Sequence, residues 1–248
     1  AAVKAAGFIN YYGLQRFGKG ARKTHELGRA VFQNDFKTVC DYIFEDSELD
    51  LRARNYDGSD IVAAKKCFRS GDYSRALQLL PRSMYSERCI VEALQFTPGN
   101  YSGAIQKISK FQRLMYVHAY QSYLWNIAAS ERVKLHGMHV VEGDIVLSKE
   151  SAAAAAAAST GEEVGVEDAG ARDVEDENVF KGGDLSSSAS IHIVTAEDVS
   201  AGTYAISDVV MPIYGNKVSF PSFTSSISGS GSGGEQGVAF YDALIARD

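Results

Sequence analysis

The texture of the chain changes once, at Gly137, and that change limits the folds open to it. From about Thr24 to Gly137 apolar residues recur at helical spacing, with breaks at Asn34-Asp35, Asn55 to Gly58, Gly71-Asp72, Pro81 and Pro98 to Asn100. After Gly137 the apolar runs GDIVLS, SIHIVT and SDVVMPIYGNKVSF are short, rich in Val and Ile and bounded by turn residues, which is how strands read. Helices first and strands later predict an α+β fold: a mainly helical N-terminal half followed by a small mixed or antiparallel sheet. A chain of 248 residues is long enough to bury a real core.

Within the helical half, SDIVAAKKCFRSGDYSRALQLLP resembles one helix-turn-helix repeat unit, with Ser59 placed to cap its first helix. One such unit does not make a solenoid, which needs stacked repeats. The longest helical stretch runs from about Tyr101 to His136, with a break expected near Ser109 to Gln112. The residue range 1–32 therefore reads as a distinct start, 33–100 as helical, 101–137 as a long helical stretch and 138–248 as the sheet region. Two segments of that last region lack the apolar content that offsets ordering entropy, about 149–188 and about 223–237; they are expected to be a disordered insertion and a flexible loop.

Charge is divided as unevenly as hydropathy. The formal net charge is −6, but residues 150–184 carry ten acids against Arg172 and Lys181, so the rest of the chain is slightly positive. The first 33 residues hold Lys4, Arg16, Lys19, Arg22, Lys23 and Arg29 against Glu26 alone. A locally basic end on a nearly neutral body is the electrostatic footprint that nucleic acid requires. Cys40, Cys67 and Cys89 are far apart, odd in number and set among apolar residues, and they read as buried thiols of a reducing compartment. His136 and His139 have no further ligands at metal spacing, so no metal is expected; no apolar run has membrane length, so no membrane partner is expected either.

Two stretches carry residue types suited to chemistry on RNA. In GFINYYGLQRFGKG the glycines Gly7, Gly13, Gly18 and Gly20 permit turns and close approach, while Tyr11, Tyr12 and Phe17 offer flat faces and Arg16 a planar fork. Base stacking on such rings is worth roughly 1–3 kcal/mol per base. The alternative is a turn whose aromatics fill the core. In RLMYVHAYQSYLWN, His118, Ser122 and Asn126 lie four apart and form a polar stripe, with Leu114, Val117, Tyr120 and Leu124 marking an apolar one. Ser122 and Asn126 suit structural hydrogen bonds, and His118 and Gln121 are the freer pair.

These stretches resemble two signatures of the TruD-type pseudouridine synthases. NYYGLQRFG is similar to the family's Asn-Tyr-Phe-Gly-x-Gln-Arg-Phe-Gly element, with Tyr12 in the usual Phe position, and HAYQSYLWN is similar to its second helical signature. The likeness continues through Gly143-Asp144, IHIVTAED and YAISDVVMPIYGNKVSFP, and is nearest to the eukaryotic branch. It implies an RNA pseudouridine synthase that isomerises uridine in tRNA or other RNA, without cofactor or metal, by way of a nucleophilic aspartate. The target nucleotide must leave its stack, so aromatic walls and phosphate contacts are expected.

The resemblance also implies where residues act. Asn10, Tyr11, Tyr12, Gln15, Arg16 and Phe17 are expected to contact RNA, with Lys19 near phosphate and His118 and Gln121 on the same cleft. Gly13, Gly18, Ser122 and Asn126 are expected to be structural. The family's Gly-x-Lys-Asp-type element is absent, and Asp35, Asp41, Asp144 and Asp208 stand in other contexts. The chain thus reads as a TruD domain segment that contacts the catalytic domain of the same enzyme, inactive alone, with its nucleophilic Asp expected upstream of Ala1. A noncatalytic RNA-binding module and a helical protein-interaction module are the alternatives. A reducing compartment, nucleus or cytoplasm, suits all three.

Overall fold

A computed structural model describes residues 8–47, 50, 60–147 and 191–214. The insertion and loop expected at 149–188 and 223–237, the break at Asn55 to Gly58 and the Ser59 cap lie outside these residues. The chain divides into two compact units, one of Ile9–Ala129 with Ile213–Asn216, the other built largely on Ser130–Pro212.

The first unit is helical. Its elements are α1 (Leu14–Phe17), α2 (Thr24–Phe32), α3 (Phe36–Ile43), α4 (Ile61–Arg69), α5 (Tyr73–Leu79), α6 (Tyr85–Phe96), α7 (Tyr101–Gln106) and most of α8 (Lys110–His136). The same device starts four of them: Asp35, Asp60, Asp72 and Asn100 each accept a hydrogen bond from the backbone amide three residues on. Each cap satisfies one of the amides that a helix start leaves without a partner, worth about 1 kcal/mol. Asp60 caps α4. The expected break in the long stretch falls at Lys107 to Ser109, and Ser109 Oγ receives the Gln112 amide at 3.3 Å.

The core of this unit is Val39, Cys40 and Phe44 of α3 and its end, Ala64 and Phe68 of α4, Ala76 and Leu80 around α5, and Ile90, Val91, Leu94, Ala104, Ile105 and Ile108. Phe44 and Phe68 stack with centroids 3.7 Å apart. The α4–α5 pair thus shares one core with its neighbours and does not stand as a separate repeat. Of the cysteines only Cys40 is fully enclosed; Cys67 and Cys89 are half-buried, because they sit on helix faces that flank this core.

Helix α2 lies against α8 at its closest point through Gly28. A Cβ built there would come within 2.8 Å of the Tyr116 carbonyl carbon and 2.9 Å of Tyr120 Cβ. Real Cβ atoms do not approach backbone that closely, so only glycine permits this crossing.

In the second unit β1 (Ile145–Leu147) pairs antiparallel with β2 (Ile191–Ile193) on one side and β3 (Val209–Val210) on the other. The register sets Val146 opposite both His192 and Val209. The sheet is antiparallel, and β3 is shorter than SDVVMPIYGNKVSF suggests. Between β2 and β3 stands α9 (Ala196–Ala201), capped reciprocally by Thr195 and Asp198 and closed by Gly202 at φ +63°. Hydrogen bonds from His192 and from the Thr195 amide hold the Asp198 carboxyl down to about 2.

Arg132 and Asp144 organise this unit. Both are buried; Arg132 Nη2 meets Asp144 Oδ2 at 2.7 Å and Nε meets Oδ1 at 3.2 Å. The remaining guanidinium donors reach the carbonyls of Gly137 and His139, and Asp144 also accepts from the Val141 amide. Burying two charges is tolerable only when nearly every donor and acceptor is met in this way.

Gly28→Ala is expected to lower the stability of the helical unit by about 1–3 kcal/mol through overpacking. The urea midpoint should fall with an unchanged slope; an unaltered midpoint would contradict the close crossing.

Candidate nucleic-acid interface

The motif begins as extended chain and turns into α1 after Gly13, at φ −105° and ψ −168°. Gly18 ends it at φ +71°, a left-handed conformation that favours glycine. What fixes the stretch is a long-range clamp. Asn126 on α8 receives the Tyr12 amide on Oδ1 at 3.0 Å and gives Nδ2 to the Tyr12 carbonyl at 2.9 Å. One side-chain amide thereby satisfies both backbone groups of a residue 114 positions away, which is the pairing a neighbouring strand would otherwise supply. Farther along, Thr24 Oγ donates to the Phe17 carbonyl at 3.1 Å.

The clamp seats an aromatic cluster. Tyr12 meets the Trp125 ring edge-to-face at 5.7 Å, and Tyr11 meets it at 6.4 Å. The Arg16 guanidinium lies 5.5 Å from the Tyr12 ring centre. Phe17 meets His25 edge-on at 5.2 Å, and His25 stacks on Tyr123 at 4.2 Å. In each edge-to-face pair the edge of one ring meets the face of the other, so the rings are not stacked face on face. Tyr11 remains 43% exposed, so this is not the turn with core-filling aromatics that the sequence also allowed.

Asn10, Gln15 and Lys19 are exposed, and Arg16 and Phe17 are half-buried. Among the described residues, Arg16 and Lys19 form no ion pair. Arg22, by contrast, is tied to Glu45 and Glu26 and lies over Tyr42. The basic character of the first 33 residues is therefore partly neutralised within the fold, at Arg22 and not at Arg16 or Lys19.

On α8 the polar stripe splits into roles. Ser122 is buried and donates to the His118 carbonyl, and Asn126 is the clamp, both as structural members. Gln121 is not free: its Nε2 donates to the Tyr214 carbonyl at 2.8 Å, which holds the returning chain of residues 213 and 214 to the helix. His118 is half-buried, and burial together with the Arg16 charge pulls its pKa below the usual histidine value. It is neutral at pH 7. Leu114 is exposed, not part of the apolar face, because that face turns through Tyr116, Ala119, Tyr120 and Leu124 instead.

The sequence reading missed Trp125, His25 and Tyr123 as members of the cluster. The signal for Trp125 was its place beside Asn126, on a stripe without Lys or Glu; no signal pointed to His25. Among the described residues no three His, Cys, Asp or Glu side chains come together as a metal would need. No described helix is long and apolar enough to cross a membrane.

Asn126→Ala would strand two backbone groups of Tyr12, and should cost about 1–3 kcal/mol of stability. It should also raise Trp125 fluorescence mobility; an unchanged anisotropy and melting curve would remove the clamp. A second outcome concerns His118. The unfolded histidine binds a proton near pH 6.5 while the folded one resists it, so stability falls as pH drops from about 6.5 towards the depressed folded value. His118→Gln should flatten that part of the stability curve, as followed by urea titration at successive pH values.

The match to known proteins covers these elements. The model of a family described as tRNA pseudouridine synthase D (TruD) matches residues 1–186. Human "Pseudouridylate synthase PUS7L" is 34% identical over 225 residues, covering 88% of this chain and 27% of that protein. "Multisubstrate pseudouridine synthase 7" of Schizosaccharomyces pombe is 34% identical over 223 residues, covering 89% and 30%. The chain thus spans under a third of the length of these curated relatives. A crystal structure titled as tRNA pseudouridine synthase D of Methanosarcina mazei shares the fold, at a TM-score of 0.60 and 23% identity over 98% of this chain and 47% of that one. With residues 1–186 of 248 matched by its model, the chain belongs to the tRNA pseudouridine synthase D (TruD) family.

Proposed function

We propose that this chain supplies RNA-binding surface to an enzyme that isomerises uridine to pseudouridine in tRNA or other RNA. The observation that carries the reading is the clamped aromatic cluster: Tyr11, Tyr12 and Trp125 held by Asn126, with Arg16 beside the rings and Lys19 exposed. Rings that are fixed in advance lose little entropy when a base stacks on them. Arg16 can stack or grip phosphate, Lys19 acts as a point charge, and Asn10 and Gln15 offer amides for base or sugar edges. His118, being neutral, can both donate and accept without adding charge. Gln121 serves the same surface indirectly, by fixing the Tyr214 backbone.

The attacking carboxylate comes, in this reading, from the catalytic domain that the segment contacts in the full-length enzyme. Asp144 is unsuited to that task, since it is fully enclosed and bonded to Arg132. Its burial puts it out of reach of a ribose. In this reading the nucleophile bonds to C1′ of an extruded uridine as the N1–C1′ bond breaks; the uracil turns, C5 bonds to C1′ as the carboxylate leaves, and C5 gives up its proton while N1 gains one. The segment's part is to hold the RNA while the target leaves the stack, offsetting a few kcal/mol of unstacking. A nuclear or cytoplasmic place fits an enzyme that acts on RNA.

Arg16→Ala with Lys19→Ala should weaken RNA binding by the full-length enzyme and lower the slope of log affinity against log salt by about 1.4–1.8, near 0.7–0.9 per lost phosphate contact. Tritium release from labelled uridine should be slower at limiting RNA. Unchanged slope and turnover in the double variant would exclude the contact role. Pseudouridine formed by this chain alone would contradict the division of labour.

A further inference from the structure

The helical unit contains a polar recess of about 280 Å³ that the aromatic cluster does not use. Its lining includes Arg22, Tyr42, Lys65, Glu87, Gln112 and Tyr116, together with the glycine turn at Gly18 and Gly20. That volume lies just under the ~300 Å³ lower end of small-molecule sites, which suits a nucleobase better than a whole nucleotide.

The cations of the recess are committed. Lys65 Nζ bonds Asp50 at 2.7 Å and the Glu45 carbonyl at 2.9 Å, and Arg22 pairs with Glu45 while lying 4.5 Å from the Tyr42 ring centre. Two polar groups are not. Glu87, half-buried, makes no hydrogen bond and no ion pair of normal length among the described residues. Tyr116 is 7% exposed, and its oxygen accepts from Gln112 Nε2 at 3.0 Å. Gln112 is oriented by Ser86, whose hydroxyl donates to Oε1, so the amide face turned to Tyr116 is a donor. The Tyr116 hydroxyl proton must therefore go elsewhere, and no described residue accepts it. Burial raises the Tyr116 pKa, and the nearby Glu87 carboxylate adds to the rise, so the phenol keeps its proton.

The recess thus presents the two oxygens of one carboxylate, Glu87, as acceptors and one phenol donor. Among the four RNA bases, guanine alone places two N–H donors, N1–H and N2–H, side by side with a carbonyl acceptor next to them. Uracil has one N–H between two carbonyls, and adenine and cytosine each have an amino group beside a bare ring nitrogen. A carboxylate close to a polyanion is repulsive unless it meets such donors. The flat Arg22–Tyr42 pair provides a surface for stacking.

We propose that this recess takes the Watson–Crick edge of an unpaired guanine in the RNA substrate, with Glu87 accepting from N1–H and N2–H and Tyr116 donating to O6. The assignment rests on the RNA-binding reading above and adds to it a preference for a base other than the uridine that reacts.

Inosine lacks only the N2 amino group and is the decisive probe. Short single-stranded RNAs with one uridine and one guanosine, at varied spacing, would be compared with their inosine counterparts on the full-length enzyme by fluorescence anisotropy. At the preferred spacing the guanosine RNA should bind about tenfold more tightly, the effect of one hydrogen bond to a charged group. In Glu87→Leu that gap should close, because no acceptor for N2–H remains and the comparison isolates the pairwise coupling and not overall affinity. Equal binding of guanosine and inosine RNAs by the unaltered enzyme, or a gap that persists in Glu87→Leu, would overturn the proposal. Free guanosine monophosphate binding as tightly as the RNA would also overturn it, by assigning the recess to a mononucleotide. Failure of the unaltered enzyme to bind RNA or form pseudouridine would instead count against the RNA reading itself.

Discussion

The contact between α2 and α8 at Gly28 sets the distance on which the aromatic face depends. Because no side chain separates the two backbones there, Thr24 and His25 at the start of α2 come within reach of the motif on one side and of Tyr123 on the other. The motif is then held at three points: Thr24 on the Phe17 carbonyl, His25 between Phe17 and Tyr123, and Asn126 on the Tyr12 backbone. A methyl group at position 28 would lever the first two away while leaving the third in place. The geometry of the ring cluster is in this sense a property of helix packing before it is a property of the rings.

Local physics made much of the fold legible. Asp35 follows Asn34, and Asp72 and Asn100 follow glycine, each at a chain reversal, and each caps the helix that the hydropathy pattern predicts. The helical-then-strand order also held, and of the two sheet types expected, mixed or antiparallel, the short Val- and Ile-rich runs form the antiparallel one. What stayed hidden was set by distance along the chain. Gly28 lies in an unremarkable helical run, and its meaning depends on Tyr116 and Tyr120, some 90 residues later. Asp144 was legible as part of a Gly-Asp pair, yet its partner Arg132 looked like an ordinary charged residue on a helix.

The polar residues of α8 show the same division between composition and role. Their spacing marked one face, but spacing does not reveal what the face meets. Gln121 turned out to hold the Tyr214 backbone, Ser122 bonds back to its own helix, and Asn126 bonds across to the motif. A stripe that looked suited to ligand contact is therefore largely scaffolding, since Gln121, Ser122 and Asn126 are all bonded within the fold. The motif is an extended segment held by a helix, which places Tyr11, Gln15 and Lys19 on exposed chain without giving them a loop's freedom.

Cys40 shows what the same core does to reactivity. Its sulfur is fully enclosed beneath α3, and burial pushes the thiol up to about 12, so almost no thiolate exists at neutral pH. Alkylating reagents and peroxide need that thiolate and a path to it. Modification of Cys40 must then wait for the helices around it to part, and the rate at which a thiol reagent consumes it becomes a clock for how often the interior opens.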